Sequence, residues 1–154
     1  MSKILIQSNL DADEVYDKLN DMEDRSDDFR PLFREVRRDL EEAWRDNFAK
    51  LGGGAGGWAP LDAQYGSWKS VHFPGAPPMI RTGRLFRSLS DLRGEPNEIR
   101  KNSATFGTNI KYASFHQTGT SKMPRRPVVF EPFDFARKWS EKAANFIERG
   151  TTTD

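Results

Sequence analysis

Phe29, Phe33, Val36, Leu40, Trp44 and Phe48 recur every three or four residues, and no other feature of the chain constrains the fold as strongly. Such spacing places all six on one stripe of an α-helix and demands a second apolar surface to cover it. Pro31 falls in the first turn, where its missing N–H costs nothing, and Asp27 and Asp28 sit at the positive end of the helix dipole. Gly52-Gly53-Gly54 supplies the stop. A helix over residues 28–51 would be roughly 35 Å long at about 1.5 Å per residue. A compact domain of this chain length has a radius of gyration of roughly 15 Å. The helix is therefore predicted to cross the whole domain, and the stripe to be core.

The other elements are built around that rod. Lys3-Ile4-Leu5-Ile6 reads as a short edge strand, and Val15, Leu19 and Met22 mark a first amphipathic helix that breaks at Arg25-Ser26-Asp27. From Gly52 to Pro78 the chain is rich in Gly and Pro and carries Trp58, Tyr65, Trp68 and Phe73, which predicts a long loop or tether, flexible over about 52–79. Thr82 is a candidate cap for a short helix bearing Leu85, Phe86 and Leu89. Glu98–Lys101 and Ala104–Gly107 form a predicted hairpin about Asn102-Ser103. A short helix over Tyr112 to Gln117 stops at Gly119, Val128-Val129-Phe130 reads as a strand, and Phe133 to Ile147 has the spacing of a closing amphipathic helix. Residues 150–154 are expected to fray. The expected fold is one α+β domain over 1–154, with the long helix and the C-terminal helix packed on a small antiparallel sheet.

Composition narrows the function classes. Lys and Arg number 24 against 23 Asp and Glu, a net charge of +1, whereas nucleic-acid binders advertise a basic excess. The distribution is uneven: Asp11 to Asp28 is strongly acidic and Arg81 to Arg126 strongly basic. That asymmetry suits head-to-tail packing of identical subunits, and solvated helix faces account for it almost as well. With no cysteine there is no disulfide or thiolate chemistry. No apolar run reaches the ~18 residues of a membrane span, and no secretion signal is expected.

Catalysis finds little support. His116 is one of two histidines, and its neighbours Ser114, Gln117 and Thr118 offer no carboxylate partner. There is no Gly-x-Ser-x-Gly elbow, so a packed or interfacial imidazole is the better reading. His72 and His116 lack metal-ligand spacing, and Gly-Gly-Gly-Ala-Gly-Gly at 52–57 lacks the Gly-Lys-Ser/Thr of a phosphate loop. Neither an enzymatic site, a cofactor nor a metal is expected. The basic residues between Arg81 and Arg126 interleave with aromatics, so a nucleic-acid-binding protein acting in packaging or in the bacterial host is the alternative reading.

Three pieces in order carry a resemblance: Trp58-Ala59-Pro60-Leu61 followed by Lys69; Thr82-Gly83-Arg84-Leu85 with Ser88; and Tyr112-Ala113, His116-Gln117-Thr118-Gly119-Thr120, Met123-Pro124-Arg125-Arg126-Pro127. Together they resemble the phage virion morphogenesis proteins, which complete tails or join heads to tails in tailed bacteriophages. The resemblance implies a non-catalytic structural protein of the virion, at the neck or head-proximal tail end. It further implies a cyclic homo-oligomer, taken as a sixfold ring, with other neck, connector or tail-tube proteins as partners. The expected interface residues are Tyr112, Phe115, His116, Arg125, Arg126, Trp58 and Arg84. Pro124 and Pro127 are expected to stiffen the segment that presents the two arginines to a neighbour.

Overall fold

In the computed structural model, which describes residues 12–151, helices dominate and one very small sheet accompanies them. In order they are α1 (Ala12–Asp27), α2 (Arg30–Ala49), a 3-10 turn (Gly53–Ala55), α3 (Ala63–His72), α4 (Arg84–Ser90), β1 (Glu98–Ile99), β2 (Ala104–Thr105), α5 (Ala113–Thr118) and α6 (Phe135–Arg149). The α+β class holds. The candidate strand at Lys3–Ile6 and the end of the tail lie outside the described residues.

The apolar stripe does what its spacing predicts. Leu40, Trp44 and Phe48 of α2 pack with Leu85 and Leu89 of α4, Leu92, Ile110, Ala113 of α5 and Val128 in the main core. Nearer its N-terminus, α2 contributes Leu32 to a second cluster with Trp139 and Phe146 of α6, and Phe29 meets the Phe146 ring at 6.2 Å. One rod thus carries two cores, one towards each end. Leu32, rather than Phe33, is the buried member of the first turn. At the start of α2 the Asp28 carboxylate accepts from the Arg30 backbone N–H at 3.0 Å, and its pairing with the Arg30 side chain holds its pKa at about 2.

β1 and β2 pair antiparallel with Glu98 opposite Thr105 and Ile99 opposite Ala104, confirming the hairpin on a shorter span than its β-like runs suggest. With two residues per strand the sheet can cover little apolar area, so helix against helix supplies the core.

Four local readings change. α1 continues through Arg25-Ser26 to Asp27 instead of breaking there, because Arg25 is fixed by donating to the Ile147 and Glu148 carbonyls at 3.0 and 3.1 Å. Val15 and Leu19, on the apolar face of the predicted first amphipathic helix, are exposed. Gly83, in the left-handed region, precedes α4 where Thr82 was the candidate cap. Within the Gly/Pro-rich segment stand the 3-10 turn and α3, whose first N–H groups are satisfied by Asp62 accepting from Gln64 and Tyr65 at 3.0 and 3.2 Å.

Residues 128–130 form no strand. No strand among the described residues pairs with them, yet buried backbone groups must find partners, and side chains supply these from three directions. Gln117 Oε1 accepts the Val128 and Val129 N–H groups, both at 3.1 Å, while its Nε2 donates to the Val129 carbonyl at 2.6 Å. Trp44 donates to the Phe130 carbonyl at 2.9 Å. Asn47 and Trp58 both donate to the Pro127 carbonyl, at 3.2 and 2.8 Å. The predicted strand is therefore absent: the hydrogen bonds of this apolar run go to side chains rather than to a ladder.

Candidate functional site: a cationic cleft framed by three sequence pieces

Gly52 starts the construction. Its φ is +85°, and a Cβ there would lie 2.4 Å from the Trp58 ring, so only glycine permits the close turn. Trp58 N–H then donates to the Leu51 carbonyl at 2.9 Å, and its indole packs edge-on against Phe48 at 5.2 Å. Trp58 is thereby an anchor between the end of α2 and Pro127, only partly accessible.

The second anchor is Arg126. Four per cent of it is exposed. Its Nε donates to the Ala59 carbonyl at 2.7 Å and its Nη2 to the Pro60 carbonyl at 2.6 Å, a fork matched to two successive carbonyls. No carboxylate among the described residues neutralises it, and burial lowers its pKa. The third piece of sequence thus clamps the first. Arg125 and Arg126, adjacent and expected to act together at an interface, have different surroundings. Arg125 is exposed, with Nε donating to the Gln117 carbonyl at 3.1 Å, whereas Arg126 is turned inward and almost wholly buried.

Between them runs a tight reversal. Thr120 and Met123 exchange backbone bonds at 2.8 and 3.3 Å, and Arg126 N–H returns to the His116 carbonyl at 2.8 Å. Gly119 makes this possible: φ is +76°, and a Cβ would stand 2.9 Å from the Arg125 nitrogen and 3.1 Å from the Met123 carbonyl oxygen. The second piece, at the start of α4, is tied in through Ser88, whose hydroxyl lies 2.8 Å from that of Thr108.

All three pieces line one cleft of about 850 Å³. Leu61 comes from the first, Gly83, Arg84 and Leu85 from the second, and Tyr112, His116, Met123, Pro124 and Arg126 from the third. Tyr65 and Lys69 of α3 complete one wall. Six lining residues are cationic (Lys69, Arg81, Arg84, Arg87, Lys122, Arg126) and one, Asp62, is acidic; that carboxylate is engaged as the cap of α3. Lys69 is buried and donates to the Pro77 carbonyl, and burial lowers its pKa. None of the six joins an ion pair among the described residues.

His116 is half-buried on this wall, edge-on to Tyr112 at 6.1 Å. Burial, and then the Arg126 charge, push its pKa below the ordinary value, and its Nδ1 is buried without a hydrogen-bond partner. Among the described residues no carboxylate is bonded to His116 to orient it for general-base work. Among the described residues no group of three or more His, Asp or Glu side chains is placed to hold a metal ion, and no helix is long and apolar enough to cross a membrane.

Of the seven expected interface residues, Tyr112, Phe115 and Arg84 are exposed on the cleft and Arg125 is exposed outside its lining, whereas Trp58 and Arg126 work from inside and His116 lies between. Sequence reasoning passed over Gln117, which satisfies three backbone groups of the inner segment. It gave Lys69 no role beyond marking a motif. The convergence of Trp58–Leu61, Thr82–Leu85 and Tyr112–Pro127 on one cleft explains why these separated pieces occur together. The model of the phage virion morphogenesis family matches residues 10–142. The chain belongs to the phage virion morphogenesis family. Its role is accordingly in building a bacteriophage particle, a structural and assembly role. No curated protein and no solved structure matches it.

Proposed function

We propose that this virion morphogenesis protein completes the tail or joins head to tail, as one subunit of a ring at the neck or head-proximal tail end. The reading takes the ring as a cyclic homo-oligomer, sixfold, bound to connector or tail-tube proteins. The observation that carries it is the division of labour in the Tyr112–Pro127 segment. Gln117, Gly119 and Arg126 fix the segment rigidly from within, and Tyr112, Phe115 and Arg125 stand on its outside, with Arg84 across the cleft. Preorganised aromatic and arginine side chains around a concavity are what a protein interface uses for anchoring. Phe115 keeps 55% of its surface exposed, which a neighbour would cover.

The test is a phage lysate lacking this gene, with the protein supplied in trans. Separate heads and unfinished tails should accumulate without it, and the wild-type chain should restore joined, infectious particles. Arg125→Glu combined with Arg84→Glu should give folded protein that restores them poorly. Normal particle yield without the protein would overturn the proposal.

Four exposed cations of the cleft, Arg81, Arg84, Arg87 and Lys122, form no ion pair among the described residues and favour a second reading, in which the cleft grips nucleic acid. DNA affinity falling steeply with salt, and lost in Arg84→Glu, would establish that alternative.

A further inference from the structure

The cationic cleft has an acidic counterpart on the same chain. Asp13, Asp17, Asp21 and Asp24 recur every three or four residues along α1, forming a carboxylate stripe about 16 Å long at about 1.5 Å per residue. Glu14 and Glu23 add to it, and Asp17, Glu14, Glu23 and Asp24 form no ion pair among the described residues. The helix is attached at its far end, where Arg25 donates to the last carbonyls of α6. Every side chain from 13 to 21 is exposed, including Tyr16 at 66% and Leu19 at 54%. A helical arm of this kind, with apolar side chains uncovered, gains little stability from propensity alone and calls for a partner.

We infer that α1 of one subunit lies in the cationic cleft of the next copy of this chain, with its carboxylate stripe against Arg81, Arg84, Arg87 and Lys122. Charge complementarity selects this occupant. The cleft's cations have no counter-ions among the described residues of their own subunit, and α1 holds seven carboxylates against Lys18 and Arg25. A helix lying in a cleft is contacted on more than one face, so Tyr16, which borders the stripe, can meet the exposed rings of Phe115 and Tyr112. The contact joins two different patches, so it is heterologous and closes into a ring when the rotation between subunits divides a full turn. The inference rests on the ring assembly proposed above and names its contact.

Charge reversal tests it with the full-length chain. One variant carries Asp17→Lys and Asp24→Lys, the other Arg84→Glu and Lys122→Glu; all four side chains are exposed and none forms an ion pair among the described residues. Circular dichroism should show both folded. By light scattering after size exclusion, the wild type should be oligomeric, and each variant alone should be shifted to monomer, with self-association weakened at least ~10-fold. Mixed in equal amounts, the two should associate again, because the unaltered arm of one meets the unaltered cleft of the other, and the new lysines of the one arm face the new glutamates of the other cleft.

A monomeric wild type, a variant that assembles as the wild type does, or a mixture that stays monomeric would overturn the inference. So would a cleft variant that keeps its oligomeric state and loses DNA binding. The particle-joining role is read separately, by the yield of complete phage, so a ring built through another surface would refute this contact and leave that role standing.

Discussion

Replacing Arg126 by methionine separates an internal clamp from a displayed cation. Methionine keeps an unbranched stem and removes the fork, so the principal loss is the pair of bonds to Ala59 and Pro60, at 2.7 and 2.6 Å. A hydrogen bond from a charged donor contributes about 1.5–3 kcal/mol, so the pair is worth roughly 3–6 kcal/mol before offsets. Two effects reduce that figure. Ala59 and Pro60 are exposed, so water can serve their carbonyls once the guanidinium is gone. Removing a buried cation with no counter-ion also returns part of its desolvation cost. The net loss should be about 2–3 kcal/mol, or roughly 5–10 °C in melting temperature for a domain of this size.

Arg125→Ala should behave differently. Its one side-chain bond is exposed, and surface substitutions of this kind stay within about 0.5 kcal/mol. Arg126→Lys should fall between, since a point charge cannot span two carbonyls. Far-UV circular dichroism melts on the three variants decide the matter, with tryptophan fluorescence reporting whether Trp58 leaves Pro127. An Arg126→Met melt within 2 °C or so of wild type, or an Arg125→Ala loss as large as that of Arg126→Met, would refute the clamp.

Gln117→Leu should cost about 2–4 kcal/mol, since it strands the Val128 and Val129 N–H groups beside a Val128 that is 0% exposed; urea unfolding measures it. Gly119→Ala should cost at least ~1–2 kcal/mol, because the left-handed backbone is strained for alanine and the new methyl meets main-chain atoms that cannot yield; the same unfolding curves read it. His116 should make the fold acid-sensitive. Its folded pKa is lowered, so the unfolded chain binds the proton more strongly; the contribution is intact above the ordinary value of about 6.5 and is lost as pH falls through it towards the folded value. The difference in urea midpoint between wild type and His116→Gln should therefore shift against the wild type on going from neutral to acid pH.

What could be read from the chain beforehand followed from periodicity. The α2 stripe, the C-terminal helix, the hairpin and the short helix at Tyr112 each have local spacing that nothing overrides. The misreadings came from long-range partners. Val128–Phe130 has strand composition, but its bonds are settled by Gln117, Trp44, Asn47 and Trp58, residues as far away as position 44. α1 shows an apolar stripe, yet nothing among the described residues covers Val15 and Leu19. α3 hides in a Gly-rich stretch because Asp62 starts it and Gly66 sits within it. Arg125 and Arg126 are identical neighbours in sequence, and only their opposite orientations separate a clamp from a surface charge.

The residues that carry the family resemblance therefore divide by direction. Trp58, Lys69, Gln117, Gly119 and Arg126 point into or shape the frame, and their neighbours Arg84, Tyr112, Phe115 and Arg125 look out of it. Frame residues are bonded to main-chain atoms of distant segments, so altering them must first show as lost stability. Rim residues have few partners within the subunit, so altering them leaves the fold intact and shows only where another molecule is engaged. Arg125→Glu with Arg126→Glu mixes the two classes, and a failure of that double variant to join particles would be explained by unfolding alone. Arg125→Glu paired with Arg84→Glu stays on the rim, and a joining defect there, at unchanged melting temperature, can only come from the contact itself.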